Sequence, residues 1–227
     1  VDEVEFIQSG ACDIDELCER LKGMVRSIGN VHLRNVAESF LVDEEFMERF
    51  TQTPAGIKIH HAYRGGLLEH VVSLMELAQL IGPRYPGLDT DLLTVGALVH
   101  DIGKTVELSA TPDPEYTDEG QLIGHLAIGI SILEKKVNEA EQLAGEAVPE
   151  DLVFQLKHMI VSHHGEYEFG SPKLPMTPDA IALHYLDSLD SKVQSFAELI
   201  QEDPNTDSNW TTYQANLGRK LYKGSGE

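Results

Sequence analysis

The stretch Ala97-Leu98-Val99-His100-Asp101-Ile102-Gly103-Lys104 most restricts what this chain can fold into. It begins as the apolar end of a helix predicted to run from Asp89 to His100. Within five residues it turns into an imidazole, a carboxylate, a glycine and an ammonium. Burying a histidine beside an aspartate is costly unless something pairs with both. A metal ion accepts both, so the rest of the fold is expected to bring further ligands to this point.

The surrounding pattern is helical. Ile14, Leu17, Cys18, Leu21, Met24, Val25 and Ile28 recur at helix spacing. The same reading predicts helices over 31–41, 43–50, 67–81, 89–100, 124–137, 152–161 and 179–200. The helix 67–81 is apolar on most of its circumference and should be central. Residues 106–121, polar with two prolines, read as an exposed loop carrying a short hairpin or a lid. An acidic segment, 139–146, follows the helix ending at Val137, and Val1 to Ile7 alternates like a strand tail. With almost no other strand pattern, the predicted class is all-α: a helical bundle with a metal site in its core. The expected division is a helical segment 1–50 packed on a metal-bearing domain 51–201, then a tail 202–227. Trp210, Tyr213, Leu217 and Tyr222 predict that this tail docks.

At 227 residues the chain is long enough to bury a core, and it has no apolar run near the roughly 20 residues needed to cross a bilayer. No membrane partner and no secretory signal are expected. The two cysteines, Cys12 and Cys18, fall on different faces of one predicted helix, so they read as free thiols in a reducing cytoplasm. The formal net charge is −21. Such a surface repels polyanions and excludes a broad basic nucleic-acid face, so any phosphate must be held locally by metal ions and a few cations. The same charge also serves solubility.

Ten histidines occur, and all but His32 lie between His60 and His184. Imidazole is a common transition-metal ligand, and carboxylates complete such sites. The candidate ligands are His70, His100, Asp101, His125, His163, His164 and Asp187. Each has a plainer alternative. His70 shares a face with Leu67, Leu74 and Leu77 and can be a satisfied core histidine. His125 can cap a helix, and His163-His164 can complement a helix dipole. Asp187, between His184 and Asp190, can belong to a solvated stripe. Seven donors suit two ions sharing Asp101: one held by His70, His100, Asp101 and Asp187, the other by Asp101, His125, His163 and His164. Mixed nitrogen and oxygen donors without thiolate point to Mn, Fe or Ni, with Zn or Mg as alternatives. Lys104, one turn past Asp101, is either a point charge for phosphate or a surface lysine.

His70, the pair His100-Asp101 and Asp187 resemble the signature of the HD-domain metal-dependent phosphohydrolases. His125 and His163-His164 resemble its two-metal branch. Gly66 stands where the cyclic-dinucleotide phosphodiesterases of that branch carry a glutamate, which disfavours a third metal and that substrate. A closer resemblance is to the HD half of the YhaM-type 3′–5′ exoribonucleases. It rests on His60-His61-Ala62-Tyr63-Arg64-Gly65-Gly66-Leu67-Leu68-Glu69-His70, on 117–125, on Ser162-His163-His164-Gly165 and on 184–190. The resemblance implies 3′–5′ exoribonuclease-type hydrolysis of RNA or short single-stranded nucleic acid by a metal-activated water, with Asp101 and Lys104 catalytic; the alternatives are a phosphohydrolase of a small nucleotide and a metal-bearing domain without turnover. It implies substrate contacts at Lys104, His61, Tyr63 and Arg64, where loop packing is the alternative for the last three. Family members place an oligonucleotide-binding OB domain before the helical part. The chain begins without Met, where such a barrel would end, so an OB-type RNA-binding domain is expected in the full-length protein. An oligomer is compatible with all of this.

Overall fold

The computed structural model describes residues 13–56, 63–109, 111 and 114–224. The alternating segment 1–7, Cys12 and His61 lie outside the described residues. Ten α-helices occur among the described residues. The first three are α1 (Ile14–Ser27), α2 (Val31–Leu41) and α3 (Glu44–Phe50). A central pair follows, α4 (Gly66–Ile81) and α5 (Thr90–Val99), then two short helices, α6 (Lys104–Glu107) and α7 (Asp118–Ile123). The chain closes with α8 (His125–Ala144), α9 (Glu150–Ser162) and α10 (Pro178–Gln201). No helix among them is long and apolar enough to cross a membrane.

Local chemistry explains these boundaries. Asp13, Asn30, Asp43, Asp89, Thr117 and Thr177 precede helices, and each side chain accepts a backbone N–H of the first turn. Two segments carry more helix than predicted. Within 106–121, Thr117 caps α7, and an antiparallel bridge between Leu108 and Tyr116 joins the ends of the stretch between α6 and α7, as the short hairpin reading anticipated. The acidic segment after Val137 continues α8 as far as Ala144, where Gly145 ends it at φ 69°. Val137 and Ala140 keep one face buried there, while Glu139 and Glu141 are half-buried and accept from Lys136 and the Val148 N–H respectively.

The core is a single cluster with α4 and α5 at its centre. Residues 92–99 of α5 are all buried, so this stretch is covered on every face. Helices α1 and α2 pack on α4 and α5 respectively, α10 packs on both, α9 packs on α5, and α8 bridges α2 to α9. Phe40, Phe46 and Phe50 form an aromatic run, with centroids 5.1 and 5.4 Å apart in successive pairs.

Lys136, 2 % exposed, is a buried cation that ties α8 to the α2–α3 junction. Its ammonium donates to Asp43 Oδ2 at 2.6 Å, Glu139 Oε2 at 2.7 Å and the Ser39 carbonyl at 3.1 Å. Asp43 therefore does two jobs, since its other oxygen accepts from Phe46 N–H at 3.0 Å to cap α3. Asp43→Ala removes both and is expected to destabilise by about 2–3 kcal/mol. Asp43→Asn keeps the cap and should lose less. Urea midpoints measured for the two variants check this ordering, and equal losses would refute it.

Candidate metal centre

Five elements deliver the seven predicted ligands to one point. His70 comes from the second turn of α4, and His100 caps α5 with Asp101 directly after it. His125 opens α8, His163 and His164 end α9, and Asp187 sits midway along α10. Three sets have donor atoms all within 4.8 Å of one another: His70–His100–Asp101, His100–His163–Asp187, and His125–His163–His164. Each set can hold a metal ion. His70, Asp101, His163, His164 and Asp187 line a cavity of about 180 Å³ together with Ala55, Lys104 and Ser191.

Four of the imidazoles are oriented in the same way. The Nδ1–H of His100 donates to the Ala97 carbonyl, and that of His163 to the Ile160 carbonyl, both at 2.8 Å. His70 Nδ1–H donates to Asp190 Oδ2 at 2.8 Å, and His125 Nδ1–H to Glu107 Oε1 at 3.0 Å. These bonds leave each Nε2 facing inwards. His70 and His100 then face each other Nε2 to Nε2 at 3.3 Å, and so do His125 and His164. Two such lone pairs repel unless a proton or a cation lies between them, so the donor set fits a metal.

Asp101 sits between the two halves. Its Oδ2 is 3.3 Å from His100 Nε2 and accepts from Lys104 Nζ at 2.6 Å. Its Oδ1 points the other way, 3.5 Å from His163 Nε2 and 3.6 Å from His125 Nε2, and has no hydrogen-bond partner although buried. His164 Nδ1 is likewise buried and unpartnered. Lys104 also donates to the Ala55 carbonyl at 2.8 Å.

The titration of these groups follows from the packing. Burial opposes charge on Asp101, yet the Lys104 ammonium and His100 hold its carboxyl well below the usual range. Burial would lower Lys104, but Asp101 outweighs it and the ammonium is held more tightly than usual. Burial would also lower His70, but hydrogen bonds to Asp187 and Asp190 raise it to about 9. Desolvation, then repulsion from His163 and His125, lowers His164 to about 4.

Two glycines explain how the elements approach so closely. A Cβ on Gly103 would lie 1.9 Å from the His125 carbonyl oxygen, so only glycine lets the start of α8 settle against the chain after Asp101. Gly165, at φ 79°, turns the chain after His164, and a Cβ there would fall 2.1 Å from the His184 ring. That ring in turn donates Nδ1–H to the His163 carbonyl at 2.8 Å.

Sequence reasoning missed the groups that orient the ligands. Asp190 is buried, accepts from His70 and also takes the Ser73 hydroxyl at 2.7 Å. The only signal for it was its place one turn after Asp187. Glu107 accepts both the ring and the backbone N–H of His125, the latter at 2.9 Å, so one carboxylate orients this candidate ligand and caps α8. It falls in the segment read as a loop, where nothing marked it. Of the expected substrate contacts, Lys104 lines the cavity. The Tyr63 hydroxyl instead donates to Glu69, and Arg64 is exposed. Neither is among the described residues lining the cavity.

With this geometry in hand, the comparisons are specific. The HD domain model matches residues 67–192. The chain belongs to the HD-domain family. It is 38% identical over 189 residues to the 3′-5′ exoribonuclease YhaM of Bacillus velezensis, covering 83% of this chain and 58% of that one. The YhaM of Bacillus subtilis has the same identity and coverage, 38% over 189 residues. That of a Geobacillus species is 34% identical over 198 residues, covering 87% and 59%. The chain thus spans a little under three-fifths of these relatives' length. No solved structure matches.

Two outcomes follow for this HD domain. His70, protonated below about 9, must lose that proton before its Nε2 can bind a metal. Metal affinity is therefore expected to rise with pH up to about 9, with proton release on binding. Calorimetry in buffers of different ionisation enthalpy measures both, and an affinity that fell with rising pH would refute it. Asp190→Asn is expected to weaken metal binding by roughly 10–100-fold while the chain stays folded, scored by metal titration alongside circular dichroism.

Proposed function

We propose that the chain hydrolyses phosphodiester bonds in RNA, removing nucleotides from the 3′ end, at a centre of two divalent ions bridged by Asp101. The observation that carries this reading is the split of Asp101, with one carboxylate oxygen turned to each histidine group and one left without a partner. Membership of the HD-domain family supports metal-dependent phosphohydrolase chemistry, and similarity to proteins named 3′-5′ exoribonucleases supports the substrate and polarity.

In this reading His70, His100, Asp101 and Asp187 hold one ion, and Asp101, His125, His163 and His164 the other. Nitrogen and oxygen donors without thiolate favour Mn, Fe or Ni. Ions bound there supply Lewis acidity toward a phosphoryl oxygen and toward the attacking water. The chain's own residues do the remainder. Nδ1 anchoring by Asp190, Glu107 and two carbonyls keeps the imidazoles from rotating, so little reorganisation is left for the reacting state. Lys104 Nζ, held at the cavity by Asp101 and Ala55, adds positive charge beside the phosphoryl oxygens in a chain of net charge −21. Affinity for a long polyanion then rests on a separate module, and an OB-type domain in the full-length protein fits the greater length of the relatives. A cytoplasmic site of action fits the free Cys18 thiol and an RNA substrate.

The chain with Mn²⁺ is expected to shorten a 5′-labelled oligoribonucleotide into a descending ladder. Asp101→Ala should reduce the rate on the order of a thousandfold, and Lys104→Ala about a hundredfold. Activity surviving Asp101→Ala would overturn the mechanism. Faster cleavage of mononucleotides than of oligonucleotides would move the substrate to a small nucleotide.

A further inference from the structure

The tail after α10 forms a β-hairpin with a distinct surface. Trp210 pairs with Tyr222 and Gln214 with Arg219 in antiparallel bridges. Thr211 N–H donates to the Leu221 carbonyl at 2.9 Å, and Lys223 N–H to the Asn209 carbonyl at 2.8 Å. Thr211 and Leu221 are buried on one side of the hairpin. On the other side Trp210 is 49% exposed and Tyr222 55%, with ring centroids 5.1 Å apart and planes at 58°. The two-residue period of a strand sets exposed Lys220 on the same side as Tyr222.

This surface is well anchored. Asp203 turns inwards and accepts both the backbone N–H and the hydroxyl of Thr212 at 2.8 Å. Asp203 also pairs with Lys223 at 3.5 Å. The Arg219 guanidinium lies 5.6 Å over the Phe196 ring of α10. Two large aromatic rings are thus held in water on a fixed support, where a flexible tail would bury them or disperse them. Charge points the same way: residues 208–226 contain no acidic side chain and carry Arg219, Lys220 and Lys223, in a chain whose formal charge is −21.

Exposed aromatic rings beside an exposed cation, with the nearby Asp203 turned inwards onto Thr212 and Lys223, suit single-stranded nucleic acid, because every base has a face to stack and a phosphate beside it. We propose that this hairpin is a stacking platform for single-stranded RNA, with Trp210 and Tyr222 taking successive bases and Lys220 a neighbouring phosphate. The choice of RNA rests on the hydrolytic reading above. Helix α10 joins the two sites. From Asp187 to Gln201 it rises about 21 Å, so a strand of several nucleotides with its 3′ end at the metals can reach the hairpin.

Trp210 is the only tryptophan in the chain, which makes the test direct. The full chain, kept metal-free with chelator, is titrated with an oligouridylate of about twelve nucleotides while its tryptophan emission and the anisotropy of a dye on the RNA are followed. Emission should be quenched in step with the anisotropy. Tyr222→Ala should weaken binding roughly tenfold, and Lys220→Gln, a surface change that leaves the fold alone, should reduce both affinity and its salt dependence. Anisotropy without quenching, no binding at all, or equal quenching by duplex RNA would overturn the proposal. With Mn²⁺, Tyr222→Ala should raise KM for the oligomer about tenfold yet leave cleavage of a dinucleotide unchanged. Failure of the wild-type chain to cleave either substrate counts against the hydrolytic reading, while the metal-free quenching decides the hairpin separately.

Discussion

The centre depends on one repeated interaction, an imidazole Nδ1–H donated outwards so that Nε2 faces in. It occurs at His70, His100, His125 and His163, with two carbonyls and two carboxylates as acceptors. Each bond fixes both the tautomer and the ring angle. Without them the rings would turn, and the 3.3 Å approaches between facing nitrogens would relax by rotation. The carbonyl acceptors are those of Ala97 and Ile160, near the ends of α5 and α9, which lack partners further along their helices. A helix terminus therefore does structural and chemical work at once.

The surrounding core keeps those termini in place. Helix α5 is buried on every face and cannot rotate without exposing apolar surface, so His100 and Asp101 are held by the packing of the whole bundle. Gly103 lets α8 approach closely enough for Asp101 to face His125, and Glu107 locks that approach by capping α8 through the ligand itself. The concentrated negative charge is balanced within the site, and His70 shows it: hydrogen bonds to Asp187 and Asp190 outweigh burial and keep its imidazolium to about 9. A metal replacing that proton relieves the same crowding of lone pairs and carboxylates.

Electrostatics divides the molecule's tasks. A net charge of −21 opposes a long polyanion, so in the proposed reading phosphate would be met only by local cations, Lys104 at the metal cavity and Lys220 on the hairpin, with strand recognition falling to stacking surfaces or to other modules. The buried Lys136 belongs to a different task, joining α8 to α2 and α3 through Asp43 and Glu139.

The sequence by itself determined the all-α class, most helix boundaries and all seven ligand candidates. Those features are local or compositional: a capping side chain such as Asn30 or Asp43 acts within three residues, and a histidine at the end of an apolar helix is already an anomaly. Only the tertiary structure decided which carboxylates orient the ligands, that Asp101 divides its oxygens between two groups, and that Lys136 is buried. Asp190 looks like an ordinary helix-surface acid and Glu107 like a loop acid until residues 120 and 18 positions away are brought against them. The hairpin at 210–222 was hidden for the same reason, because its pairing follows no periodic pattern and its support, Phe196, lies on another element. Contacts between segments distant in the chain are set by packing, and no local propensity records them.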